Sequence, residues 1–489
     1  MTDSYDVIVL GAGPTGENVA DRAVRGGLTA AVVESDLVGG ECSYWACTPS
    51  KALLRPVAAV SEANAVNGVA GAALDPLEVL RRRDMFVKHW KDDGQVKWLE
   101  GVPADLYRGQ GRLSGERRVT VNGTELTARH AVVIATGSDA VVPPSLQDVN
   151  PWTSRDATSA HAVPGRLAIV GGGVVGCEMA TAWQALGAHV TLIARGGLLE
   201  RLPGFAGDFV VSGLRDAGVD VRVGANVTKA DRDGTGPVTL TLDDGSVLVA
   251  DEVLAAAGRA PRTGDIGLET VGLKPGSWLE VDDTLRVVSG GDGFVTTGTD
   301  HDGSTSGGFG GVVPPGKHGG SPSAPWLYAA GDVNHLALLT HMGKYQARIC
   351  GDAIAARARG QEPTVTDRSS KDCVPQVVFT VPEVAAVGLT DEQARDAGIR
   401  TRVVTYDIGN VSGASLFADG YTGKAQMVVD EERKVIVGMT LAGPGVGEMI
   451  HAATIAVAGQ VPLDVLWHAV PSYPTVSELW LRLLESYGL

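Results

Sequence analysis

Two stretches of this chain fix most of what it can fold into. YDVIVLGAGPTGENVADRAVRGGLTAAVVES, beginning at Tyr5, and RLAIVGGGVVGCEMATAWQALGAHVTLIAR, beginning at Arg166, share one plan. Each has a short apolar run rich in β-formers, a G-x-G-x-x-G turn, an amphipathic helix and a second apolar run. That is the βαβ unit of a parallel sheet. Gly11, Gly13 and Gly16 in the first turn, and Gly171, Gly173 and Gly176 in the second, allow a tight bend, close approach of backbone to a pyrophosphate, and helix–sheet packing. The helix N-terminus behind each turn offers unpaired N–H groups and a positive dipole end to a diphosphate. Glu34 closes the second strand of the first unit, where an acid can accept from ribose hydroxyls. The matching strand of the second unit ends in Ala194 and Arg195, with Arg201 close behind. An acid would repel a 2′-phosphate and an arginine can bind it, which favours NADPH over NADH.

The 489 residues leave room for roughly three domains. Between the two units, ARHAVVIATGS reads as a buried strand that ends in a small-residue turn, and WLYAAGDV repeats the device at Gly331 and Asp332. From about Lys371 onward strands such as KAQMVVD and KVIVGMTLAG alternate with helices and no nucleotide turn occurs, an α+β pattern. Residues 289–325 are rich in Gly, Ser and Pro and read as a flexible surface loop. His301 and His318 lie in it, and a solvated loop is favoured over a metal site. The net charge of −16 argues against a nucleic-acid partner, which needs an excess of Lys and Arg on one face. No apolar run reaches the ~18 residues of a membrane span. The opening MTDSYD lacks the basic region of a signal peptide, so a cytoplasmic setting is expected, with no membrane partner.

Five cysteines, an odd number, do not make a secreted disulfide framework. In a reducing compartment a close pair is more often catalytic than structural. Cys42 and Cys47 in GGECSYWACTPSK form such a pair. On a regular helix their five-residue step would rise ~7.5 Å and turn ~140°, whereas the Cα atoms of a disulfide lie within ~6.8 Å. The pair therefore needs a distorted turn, for which Gly39 and Gly40 supply the freedom. No second Cys/His pair follows at a ligand spacing, so no metal is expected. Cys177, Cys350 and Cys373 sit in apolar or helical contexts that suggest packing.

Taken together, GAGPTG, GGECSYWACTPSK, ATG (Ala135 to Gly137), GGGVVGCE, GRAP (Gly258 to Pro261), AAGD and PQVVFTVPEVAAVGLT resemble, in order, the pyridine nucleotide–disulfide oxidoreductase family. Its C-x4-C group includes dihydrolipoamide dehydrogenase, glutathione reductase and mercuric reductase. The resemblance implies an α/β chain with two Rossmann-like nucleotide-binding domains and a C-terminal α+β dimerisation domain. The expected division is an FAD domain over 1–148 that resumes over 287–368, an NAD(P)H domain over 149–286, and an interface domain over 369–489 of a homodimer. It implies that Cys47 is the flavin-proximal sulfur and Cys42 the interchange sulfur. Lys51 would lie by the flavin and pair with Glu178, and Asp332 would bind the ribityl chain. Gly111, Thr136, Gly137 and Gly258 join the cofactor-binding set. His341 belongs to the flavin-side helix and is not the catalytic base.

The family's chains usually end on His-Pro-Thr followed by Glu, a pair that moves the proton of a thiol substrate. Here the segment is PSYPTVSE: Tyr473 stands in the histidine's place and Glu478 keeps its own. Tyrosine's reference pKa of ~10 against ~6.5 makes it a poor base, and such a base is worth ~10²- to 10⁴-fold. His468 lies upstream and is not expected to substitute. Mercuric reductase resembles this chain in that tyrosine and in the Ala-Arg strand end, but its vicinal cysteines are missing from LLESYGL, so the match is expected to be to its core. The expected function is transfer of electrons from NADPH through FAD and the cysteine pair to a small acceptor: a quinone, a metal ion or another oxidant. A lipoamide or small-disulfide reductase is the first alternative, and a non-catalytic flavoprotein subunit or redox sensor the second. Tyr44 and Trp45, between the cysteines, would either crowd the substrate face or simply pack.

Overall fold

Val7, Ile8, Val9 and Leu10 follow one another without a polar residue, and all four are buried. A strand apolar on both faces belongs inside a parallel sheet covered on each side. In the computed structural model, which describes residues 3–288 and 325–489, the strand Asp3–Leu10 lies between Ala30–Glu34 and Thr124–Ile134, parallel to both. The sheet continues to Asp105–Arg108 on one side and to the antiparallel strands Arg118–Val121 and Gly111–Gly115 on the other. Leu327–Ala329 also pairs in parallel with Thr124–Ile134. The helix Pro14–Arg25 buries Val19, Ala20 and Ala23 and packs on the helix Thr340–Ala358. These elements belong to one compact unit, residues 1–49, 84–141 and 258–371.

The second unit comprises residues 50–83, 142–257 and 372–489. Its parallel sheet runs Asp220–Val223, His189–Ala194, Arg166–Val170, Glu252–Ala255, with an antiparallel sheet formed by Val227–Arg232, Val238–Leu242 and Val247–Ala250. A separate antiparallel sheet runs Gln376–Val378, Glu383–Gly388, Val435–Gly443, Lys424–Asp430, Thr401–Asp407. Val435–Gly443 is buried along its whole length, and the helices Val446–Ala458 and Leu479–Tyr487 pack into the same core.

Residues 258–371 belong to the first unit. Arg259–Pro261 pairs there with Ser138–Ala140, and the Leu113 amide donates to the Ile266 carbonyl at 2.8 Å. The stretch 289–325, with His301 and His318, lies outside the described residues except for residue 325. Among the described residues no helix is long and apolar enough to cross a membrane, and no group of three potential ligands gathers for a metal.

Candidate active site

The first glycine turn is closed by contact. Gly11 has φ +101°, and a Cβ there would lie 2.5 Å from the Ala135 carbonyl oxygen. Gly16 abuts the Gly11 carbonyl, which seats the helix Pro14–Arg25 directly on the strand end. Glu34 is buried at the end of its strand, and its Oε2 accepts from the Ala12 N–H at 2.6 Å while Oε1 accepts from the Asp36 N–H at 2.7 Å. Gly331 and Gly343 both press on Thr15, so the Gly331-Asp332 signature meets the same turn. Ser138 Oγ donates to Asp332 Oδ2 at 2.6 Å. Gly137 has φ +76°, and Gly258 gives its carbonyl to the Val141 N–H at 2.9 Å. Gly111 is held against the side chains of Leu10 and Val33.

The cysteine pair occupies the distorted turn that its spacing requires. Gly39, at φ +109°, caps a short helix Gly40–Tyr44. That helix breaks at Trp45, and Cys47 begins a new one, Cys47–Asn64. Cys42 and Cys47 are not joined by a disulfide here. Cys47 Sγ lies 3.1 Å from Thr340 Oγ1. Cys47, and then burial, push the Cys42 thiol well above its ordinary value. Cys47 stands at a helix N-terminus, whose dipole favours negative charge. Arg262 donates to Glu41 at 2.5 Å and to Asp139 at 2.5 Å, which anchors the residue next to Cys42.

Within the second unit, Lys51 and Glu178 form an ion pair at 2.6 Å. Glu178 is buried, accepts from the Phe379 N–H at 3.1 Å, and Lys51 Nζ stands 4.8 Å from the Phe379 ring centroid. Gly171, at φ +129°, abuts the Ala256 carbonyl, and Gly176 abuts that of Gly171, the device of the first turn repeated. Gly173 caps the helix Val174–Ala185. Arg195, just past the strand His189–Ala194, and Arg201 are both exposed. Tyr473 is 75% exposed, and His468 is exposed too. Glu478 is buried, with Oε1 held by Arg482 at 2.5 Å and Oε2 without a hydrogen-bond partner among the described residues.

The sequence profile described as pyridine nucleotide-disulphide oxidoreductase matches residues 5–291, and the dimerisation domain of the same family matches residues 374–483. The chain belongs to that family. A dihydrolipoyl dehydrogenase of Thermus scotoductus is 32% identical over 99% of this chain and 97% of its own. A mercuric reductase of Staphylococcus aureus is 27% identical over 97% of this chain and 81% of its own. The HOCl-induced flavoprotein disulfide reductase RclA of Escherichia coli, complexed with Cu(II), shares the fold with a TM-score of 0.79 at 23% identity, each chain covered to 99%.

This oxidoreductase is thus FAD-dependent, and its residues fit the flavin nucleotide. Thr136 Oγ1, in the ATG turn, is buried without a partner among the described residues, an orphan that a bound cofactor can satisfy. When bound, FAD takes a hydride equivalent from a nicotinamide and hands two electrons to a disulfide. Of the two readings of Tyr44, crowding the substrate face or packing, the structure favours the second. It is 2% exposed, and its hydroxyl points to the Lys91 carbonyl at 3.4 Å, so packing explains it. Thr340, Lys344, Arg262, Arg482 and Glu17 were not singled out from the sequence. Thr340 and Lys344 are one helical turn apart on Thr340–Ala358, a spacing legible beforehand only once the partner helix is known.

Proposed function

We propose that this oxidoreductase uses NADPH and passes electrons through Cys42 and Cys47 to a small acceptor that needs no base at the substrate thiol: a quinone, a dye or a thiophilic metal ion. The observation that carries this reading is the state of the C-terminal pair. Position 473 carries a phenol where the family keeps an imidazole, and the carboxylate that should orient a base, Glu478, is already engaged by Arg482. A disulfide or dithiol substrate would lose the ~10²- to 10⁴-fold that such a base provides. Exposed Arg195 and Arg201 beside an apolar strand end support the 2′-phosphate. We assign Gly11, Gly13, Gly16, Glu34, Gly111, Thr136, Gly137, Gly258, Asp332 and His341 to the flavin side, Gly171, Gly173, Gly176, Arg195 and Arg201 to the nicotinamide side, and Lys51 with Glu178 to the flavin edge. The working form is a homodimer, in keeping with the dimerisation domain over 374–483.

The second reading, a dihydrolipoyl dehydrogenase, is favoured by the 32% identity to the Thermus protein and by the retained Glu478. A steady-state screen separates the two, with NADPH and NADH run in parallel against a quinone, Hg(II), lipoamide and glutathione disulfide. High kcat/KM for quinone or metal with NADPH supports the first reading. Rapid lipoamide turnover would replace it with the second.

A further inference from the structure

Glu17 is 6% exposed, and its Oε1 is buried with no hydrogen-bond partner among the described residues. Nothing in cofactor binding, as assigned above, uses it. Its helix, Pro14–Arg25, touches the cysteine turn directly: a Cβ on Gly40 would lie 2.8 Å from the Gly13 Cα. The helix Thr340–Ala358 lies against the same helix, with Gly343 on Thr15 and Gly351 on Arg22. That close packing carries Thr340 to Cys47 and brings Lys344, one turn on, to where its charge acts on both Glu17 and Cys42. The charged and titratable groups facing Glu17 are Lys344, Glu34 and Tyr44. Burial and Glu34 disfavour its carboxylate, Lys344 favours it, and the balance holds the carboxyl at about 7. Burial raises Tyr44 to about 12, so it stays neutral.

We propose that Glu17 is a proton-holding positioning residue of the redox centre, coupled to the dithiol through the Lys344 ammonium. The inference rests on Cys42 and Cys47 cycling between disulfide and dithiol. Reduction breaks the S–S bond with two electrons and one proton, all supplied by the reduced flavin, which is itself oxidised. It leaves a thiol on Cys42 and a thiolate on Cys47. The new negative charge adds a negative potential that offsets the Lys344 field at Glu17 and disfavours its carboxylate, so Glu17 takes a second proton from solvent. When the acceptor re-forms the disulfide, both protons leave. Two electrons therefore travel with two protons near neutral pH, not one.

The test is the midpoint potential of the disulfide–dithiol couple in the holoenzyme, measured against pH from about 7 upward. Each proton taken up per two electrons changes the equilibrium constant tenfold per pH unit, ~30 mV for this couple. Wild type is expected to follow the two-proton slope, Glu17→Gln the one-proton slope, and Glu17→Asp to return toward wild type. Equal slopes in wild type and Glu17→Gln overturn the proposal. Should Glu17→Gln fail to fold with its flavin, Lys344→Met decides. It should move the appearance of the thiolate–flavin absorbance in two-electron-reduced enzyme to higher pH, about tenfold in proton concentration, and no movement overturns the coupling. Absence of that absorbance in wild type would instead remove the dithiol reading on which the proposal stands.

Discussion

Cys42 and Cys47 differ in what surrounds them. Cys47 opens a helix and lies 3.1 Å from the Thr340 hydroxyl, whereas Cys47 and burial push the Cys42 thiol up, and the assignment of charge to Cys47 rests on that difference. Cys42→Ser should therefore show long-wavelength thiolate–flavin absorbance without any reduction. Cys47→Ser should lack it, and the opposite result in the two spectra would reverse the assigned order. Glu17 yields a second expectation. Its carboxyl is raised from 4.5 to about 7 by burial, so the native state holds a proton that the unfolded chain releases. Stability associated with it is present below about pH 4.5 and falls as pH rises to about 7, by on the order of 3 kcal/mol at ~1.4 kcal/mol per unit. The Tm advantage of Glu17→Gln over wild type should grow between pH 5 and 8, and parallel curves would show that the carboxyl is not buried as described. At this scale the cysteines and glycines were legible because their chemistry or turn demands that residue type. Glu17 was not, since an acid in a first helical turn reads as a dipole partner, and burial comes only from neighbours distant in sequence.

The strand–turn–helix elements were readable for a different reason. Apolar runs such as Ile8–Val9–Leu10 and Leu167–Ala168–Ile169 are buried on both faces, and the glycine turns behind them leave no room for a Cβ. The strands Glu383–Gly388 and Thr401–Asp407 escaped because EVAAVG is short and small, and TRVVTYD, at a sheet edge, is mostly solvent-facing. The strand His189–Ala194 carries the next prediction at its end. Backbone geometry there repeats that of the first turn, so only the side chain after the strand distinguishes the two nucleotides. Arg195→Glu should raise the KM for NADPH well above wild type and leave the KM for NADH within a few-fold, because a carboxylate repels the 2′-phosphate and accepts from a 2′-hydroxyl. Equal changes for both cofactors in steady-state kinetics would show that Arg195 does not address the phosphate.

For the whole molecule, the chain alone is incomplete around its C-terminal segment. Val465, Val470 and Tyr473 are 54%, 83% and 75% exposed, within the stretch that matches the family's dimerisation domain. Apolar side chains of this size each gain ~1.5–3 kcal/mol on full burial, so a second copy is the expected cover, and Val470→Glu should shift the mass measured by light scattering toward monomer. Turnover then depends on what the segment offers a substrate. Glu478 is where the family keeps its carboxylate, but Arg482, one turn along the terminal helix, holds its Oε1 at 2.5 Å. A histidine introduced by Tyr473→His would have to compete with that guanidinium for orientation. The single change is therefore expected to raise lipoamide or glutathione disulfide kcat/KM only modestly. Tyr473→His with Arg482→Gln releases the carboxylate and should approach the ~10²-fold end of what a base–carboxylate dyad supplies. Arg482→Gln alone, with a phenol still at position 473, should change disulfide turnover little, so the two substitutions should be strongly non-additive. Quinone turnover, which needs no such base, should stay within a few-fold in all three variants. Simple additivity in disulfide kcat/KM would show that Glu478 and position 473 do not act as a unit, and rapid wild-type lipoamide turnover would show that no base is missing.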